Sequence, residues 1–223
     1  MSKTQKHRLH KRVLKPWRND YLVYKYLWPN IEGAAATVLK RAIGRPPVIL
    51  DIGCGHKPYR DLFPDATYFG MDRTTSDSSP DLVGDALNLP VRDQSVDIVF
   101  ATQVIEHVPS PEVMIRECKR VLRPEGALIL TGPFYWPLHE EPHDFFRFTK
   151  YGFIELLRKA GFSEWQVRED GGDWAQLMLT VNLRFRGRLM IPLICVVNFV
   201  GALLDKVSSS RKSPSNYTVM AWN

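Results

Sequence analysis

The sequence predicts an α/β protein: a doubly wound, mostly parallel seven-stranded sheet with helices on both faces, plus an N-terminal helix and an apolar helical insertion before the last strand. Three observations point there. Short, continuous apolar runs alternate with segments that carry a helical stripe, which is how strands buried on both faces and their crossover helices read. A glycine pair, Gly53 and Gly55, closes the first of these runs. The 223 residues are 44% hydrophobic and 24% charged, enough for one sizeable core and a small appendage. That balance excludes a disordered chain, a collagen-like fibre and a coiled coil.

Asn19 to about Ile43 reads as the N-terminal helix, with Pro29 expected to break or kink it. Pro46-Pro47 ends that entry, and Val48–Ile52 is the first strand. Tyr68–Asp72, Asp81–Gly84 and Val96–Ala101 are the next three. Ser110-Pro111-Glu112 opens a helix, with serine at the cap, proline in the first turn and an acid at the positive dipole end. Val113, Met114, Cys118, Val121 and Leu122 give it a stripe, and Pro124 and Gly126 are expected to stop it. Ala127–Thr131 is the fifth strand. Thr149 caps a helix that buries Phe153, Ile154, Leu157 and Ala160 and ends at Gly161. Trp165–Arg168 and Tyr217–Ala221 complete the seven. The chain divides into a basic segment and helix over 1–45, the sheet domain over 46–173 plus 215–223, and the apolar insertion over 174–214.

Charge is uneven. The first eighteen residues carry +7 and the last forty +5, leaving −6 on residues 19–183. Basic ends on an acidic body suggest contact with an anionic surface, membrane or nucleic acid, or a solubilising tail. Three widely spaced cysteines (Cys54, Cys118, Cys195) do not make a disulfide framework and fit a reducing compartment. The basic start runs into the mixed, aromatic stretch Trp17–Tyr26 rather than an apolar segment. A cytoplasmic location is expected on that basis.

Parallel sheets bind ligands beyond the carboxyl ends of their strands, where the strand order reverses. The sequence there is Leu50-Asp51-Ile52-Gly53-Cys54-Gly55-His56-Lys57-Pro58. Pro58 stands where a dinucleotide fingerprint needs its third glycine, and the spacing does not fit a phosphate loop. Asp72 lies nineteen residues after Gly53, the place from which a second-strand acid holds a ribose diol. Gly84-Asp85-Ala86-Leu87-Asn88-Leu89-Pro90 and Gln103-Val104-Ile105-Glu106-His107-Val108 follow strands three and four. Asp85 is suited to accept from an exocyclic amine. Glu106 and His107 are equally readable as local packing.

In this order the motifs resemble the S-adenosylmethionine-dependent methyltransferases of the Rossmann-like fold, in particular the type 11 branch, over roughly Val48 to Phe162. The resemblance implies that Gly53, Cys54 and Gly55 pass near the methionine part of the cofactor, with Asp51 beside it. It implies further that Asp72 holds the ribose, Asp85 and Ala86 face the adenine, and Gln103 lines the sulfonium region.

The segment Gly132–Thr149 contains a literal His-Glu-x-x-His at 139–143. Pro142 inside it and Pro137 before it exclude the zinc-protease helix. A metal site on His139, His143 and Asp144 is a minor alternative, and no metal is assigned. The candidate catalytic residues are His139 and His143, histidine being the residue type that exchanges protons near neutral pH, with Asp144 to orient them. Arg147, Trp136 and Phe145 are the candidate acceptor contacts. Similar loops occur in methyltransferases associated with cell-surface saccharide gene clusters.

Leu189–Leu204 is apolar except for Asn198 and follows Arg184, Arg186 and Arg188. It is short for a span and is expected to lie on an anionic membrane surface, or to pack on the body or a dimer partner. The resulting reading is in-line methyl transfer to an oxygen or nitrogen of a small or lipid-linked acceptor, a saccharide among the candidates. RNA methylation, and a non-catalytic cofactor-binding scaffold at a membrane surface, are the alternatives.

Overall fold

The computed structural model describes residues 14–41, 44–76, 78–208 and 210–223. Ile43 and the basic residues Lys3, Lys6, Arg8, Lys11 and Arg12 lie outside them. The seven strands are β1 (Val48–Ile52), β2 (Thr67–Asp72), β3 (Leu82–Val83), β4 (Val96–Thr102), β5 (Leu122–Pro133), β6 (Glu164–Asp170) and β7 (Asn216–Trp222). They form one sheet in the order β3-β2-β1-β4-β5-β7-β6. β1 to β5 pair in parallel, and β7 lies antiparallel between β5 and β6. The strand order reverses between β1 and β4, so the carboxyl ends of those two strands flank the expected crevice.

Alternation sends successive residues to opposite faces. Leu50, Ile52, Val99, Ala101, Leu128, Leu130, Val219 and Ala221 pack against α2 (Pro111–Val121) and α3 (Lys150–Ala160). Ile49, Ile98, Phe100, Ala127, Ile129, Met220 and Trp222 pack against α1 (Tyr21–Leu39), with Leu179 of α4 (Asp173–Asn182). Thr149 caps α3 by accepting from the Gly152 N–H at 3.0 Å, and Gly161 ends it in the left-handed region at φ 85°.

Three local expectations are corrected. Pro29 does not break α1. Leu22, Val23, Leu27, Trp28, Ile31 and Ala34 are buried on both sides of it, and about 1.5–3 kcal/mol per buried side chain outweighs the roughly 3 kcal/mol a helical proline costs. α2 ends at Val121, before Pro124 and Gly126, because Leu122 already pairs with Val96. β5 is therefore longer than Ala127–Thr131, and Pro124 and Gly126 sit in its irregular first turn, where Glu125 has φ 64°. Ser110 occupies the cap of α2 without a side-chain bond. Its carbonyl instead accepts from Val113 and Met114.

Residues between β6 and β7 form α4 and α5 (Ile191–Val207), the latter entered through a short 3₁₀ turn at Arg188–Met190. Arg188–Val207 is long and apolar enough by length and composition to cross a membrane. Its body-facing side is the polar one. Asn198 donates to the Pro16 and Arg18 carbonyls at 2.7 and 2.9 Å and accepts from Asn182 at 2.8 Å. Asp205 is buried and accepts from the Ala175 N–H. Gly201 leaves no room for a side chain, since a Cβ there would stand 2.7 Å from Met178. Leu189, Leu193, Val196, Phe199, Leu203 and Val207 face outward and are exposed.

Candidate functional site

The site begins where β1 ends. Gly53 (φ 66°) and Gly55 (φ 51°) both lie in the left-handed region that favours glycine. A Cβ on Gly53 would also collide with the Val104 side chain, so the position has no room for a side chain. The loop is tied to β2 twice: the Cys54 N–H donates to the Met71 carbonyl at 3.0 Å, and the Gly55 N–H to Asp72 Oδ2 at 3.1 Å. Lys57 pairs with Asp81 at 2.8 Å and braces the same loop from its far side. Cys54 is buried, and burial pushes its thiol up to about 12, with Asp51 and Asp72 adding to the shift. It is a packing residue, not a nucleophile.

Two cavities open from this loop. The larger, about 510 Å³, is lined by Gly53, Asp72, Asp85, Ala86, Gln103, His143 and Phe145 among others. The smaller, about 210 Å³, is lined by Asp51, Gly53, Cys54, Trp136 and His139, with Tyr24, Trp28 and Tyr59 forming an aromatic wall. Gly53, Gln103, His107 and Glu140 line both, so the two spaces meet at the ends of β1 and β4.

The sequence-predicted cofactor residues gather as follows. Asp72, Asp85, Ala86, Gly53 and Gln103 share the larger cavity. Asp72 stands at the end of β2 with one oxygen accepting from Gly55 and the other from the Arg73 N–H; each oxygen keeps a further lone pair. Asp85 accepts from the Leu87 N–H at 2.9 Å and so fixes its own turn. Gln103, at φ 54°, is held through its side-chain amide to Thr131 Oγ1 at 3.0 Å. Asp51 lines the smaller cavity, where its carboxylate accepts from the Tyr68 hydroxyl at 2.5 Å.

The loop over the site is irregular from Phe134 to Phe148, and its His-Glu-x-x-His is not a helix. It is pinned to the 3₁₀ turn after β4 (Ile105–His107) because the Phe145 and Phe146 N–H groups donate to the Glu106 carbonyl. Asp144 is its buried keystone. Both Asp144 oxygens accept from Arg147 at 2.7 Å, and the His139 N–H and ring Nδ1 approach Oδ2 at 3.0 and 3.2 Å. The Arg147 guanidinium holds that carboxyl well below the usual carboxylate range. Arg147 also donates to the Trp136, Pro137 and Phe146 carbonyls, so its donors are committed within the loop. Neither Asp144 nor Arg147 lines either of these two cavities; Asp144 orients His139, not His143. His139 and Trp136 face the smaller cavity, and His143 and Phe145 the larger.

Two residues carry a signal that the sequence left open. Glu106 is wholly buried, and neither of its carboxylate oxygens has a hydrogen-bond partner among the described residues. Burial pushes its carboxyl up to about 8. The His107 Nδ1 lies 2.8 Å from the His143 carbonyl, which can only accept, so Nδ1 carries the proton. The His107 Nε2 then faces Glu106 at 3.9 Å and Glu140 at 3.8 Å. The His107 and His139 rings meet edge to face at 4.8 Å. Glu106-His107 stood in the sequence as a local pair; that His139 joins them follows only from the loop's path.

The larger cavity suits a nucleoside: a second-strand carboxylate for a diol, a third-strand carboxylate for an amine, and two left-handed glycines where the backbone approaches. Residues 50–130 match the family model described as a methyltransferase domain. The chain is 33% identical over 124 residues to a tRNA (carboxymethyluridine(34)-5-O)-methyltransferase of Arabidopsis thaliana, covering 51% of this chain and 29% of that one. It is 34% identical over 105 residues to a malonyl-[acyl-carrier protein] O-methyltransferase of Methylococcus capsulatus, covering 40% and 38%. The chain thus spans well under half the length of these two curated relatives. Among solved structures, a SAM dependent methyltransferase from Archaeoglobus fulgidus superposes with a TM-score of 0.58 at 15% identity, over 86% of this chain and 93% of that one, a likeness of fold. The matched motifs and the cavity they build agree: residues 50–130 are similar to a methyltransferase domain, and S-adenosyl-L-methionine is the cofactor that such a domain uses.

Proposed function

We propose that this protein transfers a methyl group from S-adenosylmethionine to an oxygen or nitrogen of a small or lipid-linked acceptor, working at an anionic membrane surface. The observation that carries the reading is the meeting of the two cavities at Gly53, Gln103, His107 and Glu140. One chamber fits the donor, the other an acceptor, and their junction is where an in-line approach is set up. When bound, the cofactor supplies an electrophilic methyl on a sulfonium. The chain's own residues do the rest. Asp72 accepts from the ribose hydroxyls and Asp85 from the adenine amine. Gln103, held by Thr131, lines the passage between the chambers. Trp136 and the aromatic wall bound the acceptor, and Phe145 closes the donor side. His139, with Nδ1 turned to Asp144, faces the acceptor chamber with the lone pair of Nε2 free, while Arg147 positions the loop. Positioning of this kind supplies much of the rate in a displacement that needs little other chemistry.

The membrane part of the reading rests on α5. Its buried side carries the polar groups and its exposed side is apolar, the reverse of a solvent-facing helix. Arg184, Arg186 and Arg188, all exposed, stand at its start. Each cation contributes about 1 kcal/mol against an anionic leaflet. An RNA acceptor is the second reading, supported by the basic ends and by the tRNA-directed relative. A phosphate backbone matches the arginines but not the apolar row beside them, so lipid is preferred.

The test is transfer of labelled methyl from S-adenosylmethionine into lipid, saccharide and RNA fractions, with flotation on phosphatidylglycerol vesicles. Label in a lipid or small-molecule fraction and co-flotation support the reading. Label confined to RNA, with binding that falls steeply with salt, replaces the acceptor class. Cofactor binding without label in any fraction favours a non-catalytic scaffold.

A further inference from the structure

We propose that Glu106, His107 and His139 form a site for a divalent first-row transition ion at the junction of the two cavities. One ligand atom from each of the three lies within 4.8 Å of the other two. The ligands of one such ion, at about 2.0–2.2 Å each in a tetrahedral array, stand roughly 3.3 to 3.6 Å apart. The Glu106–His107 separation of 3.9 Å is a few tenths longer than that, and small rotations of His107 and His139 close the set.

Three independent features favour a cation there. The first is Glu106 itself. A wholly buried carboxylate with both oxygens unpartnered among the described residues is destabilising unless a proton or a cation meets it. The second is the tautomer of His107: its Nδ1 hydrogen is taken by the His143 carbonyl at 2.8 Å, which leaves the Nε2 lone pair directed at Glu106. The third is the support behind His139. Its Nδ1 meets Asp144 at 3.2 Å, and Asp144 is fixed in turn by Arg147. A histidine whose far nitrogen donates to a carboxylate or carbonyl is the orientation that metal-ligating histidines adopt. Two imidazoles with one carboxylate select zinc, iron, cobalt or manganese over magnesium or calcium, and a three-residue set leaves coordination positions open.

Those positions face the smaller cavity, which His107 and His139 both line. The role that follows rests on the methyltransferase reading. The ion binds an acceptor hydroxyl and makes it more acidic. The O–H bond breaks and its proton passes to the carboxylate of Glu140, which is 66% exposed and returns it to solvent. The oxygen forms the new bond to the methyl carbon, and the carbon–sulfur bond breaks with its electron pair on sulfur. The acceptor class is thereby narrowed to hydroxyl compounds.

The experiment uses the full chain without a purification tag, stripped with chelator and titrated with Co²⁺ by visible absorption, with Zn²⁺ as competitor. S-adenosylhomocysteine affinity is measured on the same samples. The expected result is one saturable equivalent of Co²⁺, displaced by Zn²⁺, with affinity weakened roughly 10- to 100-fold in both Glu106→Gln and His139→Ala while cofactor affinity holds. No saturable uptake by the wild type overturns the site. So does uptake unchanged in both variants, which assigns the ion to other residues such as His7 and His10. Lost cofactor binding with Co²⁺ uptake intact removes the methyltransferase reading and leaves the site standing.

Discussion

At the residue scale the proposed donor chamber turns on Asp72, which lines the larger cavity. Its two oxygens organise the Gly55 and Arg73 amides and retain lone pairs for a diol. Asp72→Ala is expected to weaken S-adenosylhomocysteine binding by about 10- to 100-fold, the worth of one charge-assisted hydrogen bond or more, with the far-ultraviolet spectrum unchanged; unaltered affinity in calorimetry removes the ribose assignment. Asp170 makes a different kind of prediction. It is wholly buried, accepts from Asn30 at 2.6 Å and Thr218 at 3.0 Å, and burial pushes its carboxyl up to about 7. In the window from about pH 4 to 7 the folded chain therefore holds a proton that the unfolded chain has released. Stability falls as pH rises through that window, by up to about 4 kcal/mol for this group. Asp170→Asn keeps the acceptor for Asn30 and removes the proton. Its melting temperature is expected to decline less between pH 5 and 8 than that of the wild type; parallel profiles contradict the assignment. Asp72 was legible in the sequence because a strand-end acid at fixed distance from a glycine turn has a known geometric meaning. Asp170 was not, because nothing local to Glu164–Asp170 states that Asn30 and Thr218 will enclose it.

At the element scale, α5 presents two different faces on one helix, polar groups toward the body and apolar side chains outward. Asn198 holds it to the body through three hydrogen bonds, and Phe199, next in the chain, points outward at 68% exposure. Asn198→Ala is expected to cost about 2–3 kcal/mol in chemical denaturation, since it leaves the Pro16 carbonyl and the Asn182 side-chain amide without this partner and removes one of the two donors to the Arg18 carbonyl. Phe199→Asp is expected to change stability by less than about 0.5 kcal/mol and to reduce flotation on anionic vesicles at least tenfold. Flotation unchanged by Phe199→Asp removes α5 from the membrane contact. The apolar run of this helix was plain in the sequence, and so was the lone Asn198. Which side faced the body was not, because apolar residues on both sides of a helix give no periodic signal. The same limit applies to β7. Its residues read as a buried strand, but a run buried on both faces carries no mark of direction, so its antiparallel place between β5 and β6 comes from the chain's return through α4 and α5.

At the scale of the whole molecule, the sheet sets the chemistry by bringing distant residues to one edge. Gly53, Asp72, Asp85 and Gln103 each follow a different strand and converge because parallel strands end together. Order and spacing along the chain were enough to read them. The smaller cavity, the proposed acceptor side, obeys no such rule. Its aromatic wall comes from α1 and the loop after Gly55, and its polar groups from the strap at 134–149, held by Asp144, Arg147 and the Glu106 carbonyl. Loop paths of that kind are fixed by tertiary hydrogen bonds, which is why the convergence of His107 with His139 and Glu140 was invisible before the fold. Calorimetric titration of the folded full chain with S-adenosylmethionine, and separately with S-adenosylhomocysteine, bears most directly on the central claim. One-to-one micromolar binding of both ligands is the expected result. Absence of binding heat and of any thermal stabilisation, in protein that still melts cooperatively, would contradict it.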